Sequence, residues 1–77
     1  MNNQRRNELA KLRGQLDNIR SQVETIKDDE QDSFDNMPEG LQQSERGQQS
    51  EDAINSLDNA LSSMEDAVSS IEEAEGI

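Results

Sequence analysis

Two stretches decide the fold, LAKLRGQLDNIRSQVETIK at residues 9–27 and EDAINSLDNALSSMEDAVSSIE at residues 51–72. In the first, Leu9, Leu12, Leu16, Ile19, Val23 and Ile26 recur at alternating steps of three and four. In the second, Ile54, Leu57, Leu61, Met64, Val68 and Ile71 do the same. That alternation puts one apolar stripe along an α-helix. Leu9 matches Ile71, Leu12 matches Val68, and so on down to Ile26 with Ile54, and the numbers of every matched pair add up to 80. A chain that climbs beside one that descends produces this relation, so the expected architecture is all-α, an antiparallel two-helix coiled-coil hairpin.

With Leu9 at heptad position a, the e positions of the first segment are Arg6, Arg13, Arg20 and Lys27. Those of the second are Glu51, Asp58, Glu65 and Glu72. Antiparallel helices set e against e, so the expected ion pairs are Arg6 with Glu72, Arg13 with Glu65, Arg20 with Asp58 and Lys27 with Glu51. Exposed pairs of this kind select direction and partner more than they stabilise. Charge is divided along the chain in the same sense. Residues 1–27 hold six basic and three acidic side chains, whereas residues 28–77 hold Arg46 against fifteen carboxylates, for a net charge of −11.

The same arithmetic places the reversal at residues 36–43, between a helix over about 3–35 and another over about 44–75. Met37-Pro38-Glu39-Gly40-Leu41 suits a turn, because Pro38 disfavours helix before it and Gly40 permits unusual dihedrals. Leu41, Ser44 and Ser50 are candidate starts of the second helix, the serines as caps. Phe34, the single aromatic, comes level with Arg46 and Gly47, where a missing side chain could admit its ring.

A 77-residue chain is one domain at most, and a lone hairpin has a thin core for its length. Ala53, Ala60, Ala67 and Ala74 recur every seven residues at position g, widening the apolar face to the pattern of bundle helices. These four are the expected self-association residues, and two hairpins pairing into a four-helix bundle is the expected assembly, a homodimer.

The residue types give little to catalysis: there is no His, Cys or Tyr, and none of the serines has a candidate base. A non-enzymatic protein without cofactor or metal is expected. The run from Asp28 to Glu39 spaces oxygens somewhat like a calcium loop but has Ser33 where the loop needs Gly and Asp35 where it needs an apolar residue. Absence of cysteine and of a long apolar run points to a cytoplasmic protein without a membrane span or signal peptide. The acidic balance argues against direct nucleic-acid binding. It admits the converse, an acidic inhibitor that mimics duplex phosphate and occupies a basic protein partner. Its contact would be the acidic tip of Asp28, Asp29, Glu30, Asp32, Asp35, Glu39 and Glu45.

The stretch Asp35-Asn-Met-Pro-Glu-Gly-Leu-Gln-Gln-Ser-Glu-Arg46, followed by a repeating Glu/Ala helix, resembles small uncharacterised helical-hairpin proteins of phages, prophages and mobile elements of Gram-positive bacteria. The resemblance implies a mobile-element origin and a bacterial host cytoplasm, and it attaches no activity. Such elements often carry acidic proteins that block host defence enzymes, which is what links the resemblance to mimicry.

Overall fold

In the computed structural model, which describes all 77 residues, three helices follow one another: α1 over Asn3–Asp35, α2 over Glu39–Gln42 and α3 over Glu45–Glu75. The long helices α1 and α3 pack against each other along their length as an antiparallel hairpin. The molecule is a rod of 58 × 14 × 12 Å. Its radius of gyration is 17.4 Å, against about 11–12 Å for a compact chain of this length.

Each long helix starts on a side-chain cap. The Asn2 side chain accepts a hydrogen bond from the Arg5 amide at 2.8 Å, and the Ser44 hydroxyl accepts one from the Gly47 amide at 3.4 Å. Ser44 is therefore the cap of α3 among the three candidate starts, while Ser50 lies buried one and a half turns inside the helix. The turn is not an irregular loop. Pro38 opens the single-turn helix α2, its carbonyl accepting from the Leu41 and Gln42 amides at 2.9 and 3.0 Å. The Gln42 side-chain amide then donates to the Phe34 carbonyl at 2.9 Å, tying α2 to the end of α1.

Two expectations about this turn are corrected. Gly40 sits in helical backbone, and no residue in the chain has a positive φ, so no unusual dihedral is used there. Gly47 admits main chain and not the Phe34 ring. A Cβ built on Gly47 would overlap the Gln42 carbonyl and lie 2.6 Å from the Leu41 carbonyl oxygen. Phe34 is half-buried one turn further along, bordering a shallow cleft of about 230 Å³ with Gln31, Glu51, Ile54 and Asn55. The short helix needs room against α3, and only glycine leaves it.

The core between the helices is slight. Ile54 and Leu61 are the buried apolar side chains, with Leu9, Leu16, Val23, Leu57, Met64, Val68 and Ile71 half-buried around them. Beyond Ile54 the interior turns polar: the Ser50 hydroxyl donates to the Glu30 carboxylate at 2.6 Å. That pair, and the helix ends at Asp35 and Glu45, keep the relation in which facing residue numbers add up to 80.

Glycine substitutions test this account of the turn. Gly14 lies in α1 with nothing within 4 Å of an added Cβ, so Gly14→Ala should raise the unfolding midpoint by the equivalent of ~0.5–1 kcal/mol. Gly47→Ala, also within a helix, should lower it by roughly 1–3 kcal/mol because α2 must move. Thermal melts followed by circular dichroism at 222 nm read both, and a stabilised Gly47→Ala would show that α2 does not pack there.

Candidate functional site

The geometry of α1 departs from the expected a and d seam in one respect. Its inward residues are Arg6, Leu9, Arg13, Leu16, Arg20, Val23, Lys27, Glu30 and Phe34, the a and e rows. The d row faces outward, with Leu12 54%, Ile19 50% and Ile26 61% exposed. Successive residues of a helix turn by about 100°, so exchanging d for e rolls α1 by about 50° about its own axis. Helix α3 is not rolled. Its a and d rows face inward as expected, from Gly47 through Ile54 and Leu61 to Ile71.

The roll brings the basic side chains over the seam, where their aliphatic stems cover apolar surface and their charged heads reach carboxylates. The Lys27 ammonium meets Asp58 at 2.5 Å, Arg20 meets Glu65 at 3.8 Å, and Arg13 meets Glu72 at 3.4 Å. The rows pair as expected, but every partner lies one heptad beyond the expected one. Arg13 does not pair with Glu65, Arg20 does not pair with Asp58, and Lys27 does not pair with Glu51. Arg6 misses Glu72 and donates instead to the main-chain oxygen of Ile77 at 2.7 Å. Side-chain direction explains the shift. Helical side chains lean toward the N-terminus of their own helix, and in an antiparallel pair both leans carry the tips toward higher-numbered partners.

Glu75 is a further acidic partner, outside the expected e-row pairs. It occupies the a row of α3 and accepts from the Arg13 Nε at 2.7 Å. A carboxylate continuing an apolar row, opposite a basic e row, was the available signal. Within α1, Arg20 also meets Asp17 at 2.9 Å and Glu24 at 3.6 Å. Hydrogen bonds donated to Glu75 and Asp17 hold Arg13 and Arg20, respectively, more firmly in the charged form. The hydrogen bond to Asp58 likewise raises Lys27 above the ordinary lysine value of 10.5, outweighing its desolvation.

All these cross-helix pairs lie on one side of the rod. On the other side, the exposed Leu12, Ile19 and Ile26 of α1 run beside the g row of α3, where Ala60, Ala67 and Ala74 are half-buried and Ala53 is exposed. The next row out on α3 is Gln49, Ser56, Ser63 and Ser70. Interleaved, Ala53, Ser56, Ala60, Ser63, Ala67, Ser70 and Ala74 form a second heptad seam made wholly of small residues. Gln15, Asn18, Gln22 and Thr25 border the α1 row. Between Leu12 and Ile26 on α1, and from Gln49 to Ala74 on α3, this face carries no charged side chain in a chain that is 32% charged.

At the turn end, Asp28, Asp29, Asp32, Asp35, Glu39 and Glu45 are exposed without a basic partner, whereas Glu30 is half-buried on Ser50. The run from Asp28 to Asp35 is continuous helix, so its oxygens diverge instead of wrapping a cation. No three His, Cys, Asp or Glu side chains converge closely enough to hold a metal ion, and no helix is long and apolar enough to cross a membrane. Compared with protein-family models, with curated proteins and with solved structures, the chain matches none.

The ion-pair register yields two tests. Exchanging Lys27 and Asp58 together should recover part of the thermal stability that either reversal alone removes, whereas Lys27 with Glu51 should show no such coupling. Because Lys27 is raised, its contribution is fully present below pH 10.5 and is lost as pH climbs through the higher folded value. Helicity followed in alkali should therefore show a loss that Lys27→Gln does not share.

Proposed function

We propose that this chain is a non-enzymatic, self-associating coiled-coil protein that acts through protein–protein contact, two hairpins pairing into a four-helix bundle by their uncharged faces. The observation that carries this reading is the row Leu12, Ile19 and Ile26, each at least half exposed on a chain with two buried apolar side chains. Fully burying such a side chain is worth about 1.5–3 kcal/mol, so a second apolar surface recovers stability that the single hairpin leaves in water. The accessible surface of 5498 Å² exceeds the ~4,700 Å² of a compact monomer of this mass. Small residues on α3 let another helix approach closely, to about 8 Å between axes.

A second reading, an acidic inhibitor of a nucleic-acid-binding or defence protein, draws on the free carboxylates at the turn end. Reversal of Asp28, Asp29 and Asp32 to Lys should then abolish capture of a basic protein while leaving helicity intact.

For self-association, light scattering at tens of micromolar protein should give a mass near twice 8.6 kDa. The double variant Ile19→Glu, Ala67→Glu should fall to monomer mass with reduced helicity. The variant Asp52→Lys, Asp66→Lys, changed on the outer face, should remain dimeric. A helical monomer for the unmodified chain would overturn the proposal.

A further inference from the structure

The uncharged face has an order along it that distinguishes the two ways in which twofold-related hairpins can stack. With both turns at one end, α1 of each copy would lie over α3 of the other. With the turns at opposite ends, α1 lies over α1 and α3 over α3. Resting on the self-association reading, we infer that the second copy lies with its turn at the opposite end, on a twofold axis that passes beside Ile19.

Spacing supports this arrangement first. Leu12 and Ile26 stand seven residues to either side of Ile19, so an antiparallel partner sets Ile19 on Ile19 and Leu12 on Ile26. On α3, Ala60 and Ala67 flank Ser63 and Met64, so the seam of small residues also maps onto itself there. Level with Ile19 in the hairpin is Leu61, less than one turn of helix from Ser63. One axis perpendicular to the rod therefore serves both helices. Large side chains meet on α1 and small ones on α3, each row closed on itself as an isologous interface requires.

Charge supports it independently. On α1 the face begins with Arg5 and Lys11, which have no carboxylate within 4 Å and outnumber Glu8, and it ends with Asp29 and Asp32. Opposite ends bring the two basic groups of one copy beside the two carboxylates of the other. Turns at the same end would instead stack two tips of seven carboxylates each. The extent of the face also suffices, since 58 × 14 Å is of the order of the ~800 Å² per partner that stable interfaces bury.

Because the chain has no cysteine, single thiols report the arrangement directly. Under mild oxidation, or with a short bis-maleimide, Ile19→Cys should link to itself in high yield, and so should Ser63→Cys on α3. Leu12→Cys alone should not link, while a mixture of Leu12→Cys and Ile26→Cys should give the mixed dimer. Ser63 is exposed, so its variant keeps the test valid even where Ile19→Cys folds poorly. A dimeric mass in which neither Ile19→Cys nor Ser63→Cys links overturns this arrangement while leaving self-association standing. A monomeric mass for the unmodified chain overturns both.

Discussion

The roll of α1 about its own axis is the constraint from which the rest of the structure follows. By turning its a and e rows inward, α1 places Arg13, Arg20 and Lys27 over the seam and gives Asp58, Glu65, Glu72 and Glu75 their partners. The same motion carries Leu12, Ile19 and Ile26 out of the seam. A two-helix rod cannot enclose both sets. The long basic stems substitute for apolar side chains along the seam because they are flexible and end in groups that remain in water. Leucine and isoleucine displaced from the seam have no such compensation, so α1 is left with two working faces. Two such faces on one helix are what the proposed bundle would use, since a bundle helix packs against two neighbours.

Helix α3 meets that requirement from the other side. Its inward rows hold the larger residues, Ile54, Leu57, Leu61, Met64, Val68 and Ile71, whereas the adjoining seam is only alanine and serine. Where α1 presents bulk on its outer face, α3 presents close approach. The turn fixes how these faces align. Ser44 caps α3, α2 packs against the bare backbone of Gly47, and Gln42 holds the end of α1, so the offset between the helices is set by hydrogen bonds as well as by the apolar rows.

Much of this was legible from residue spacing. Helix type, antiparallel direction and the position of the reversal follow from two mirrored apolar rows, and the acidic and basic e rows do find each other. The partners within those rows were not legible from numbers alone, because heptad letters locate Cα atoms while salt bridges form at side-chain tips displaced toward each helix N-terminus. The roll of α1 escaped for a related reason. A wheel scores Leu12 as core and Arg13 as flank, yet the stem of an arginine covers apolar surface as well, and the acidic rows of α3 decide between them. The missing side chain of Gly47 marks a place of close approach, but what fills it is the main chain of α2 and not Phe34, and a one-turn helix is too short to show a period in the sequence.

The absence of charge is the more telling signal in a chain this acidic. Along α3, glutamate and aspartate fill the e and f rows at Glu51, Asp52, Asp58, Glu65, Asp66, Glu72 and Glu73, and none falls on the small-residue seam. Bringing two copies together on any face that includes those rows sets carboxylate against carboxylate. Water solvates them better than a like-charged partner does, so such faces stay apart. Only the side bearing Leu12, Ile19 and Ile26 avoids that opposition. For the proposed self-association, the net charge of −11 therefore favours one mode of contact by disfavouring the others, and the acidic outer rows would oppose growth beyond a pair.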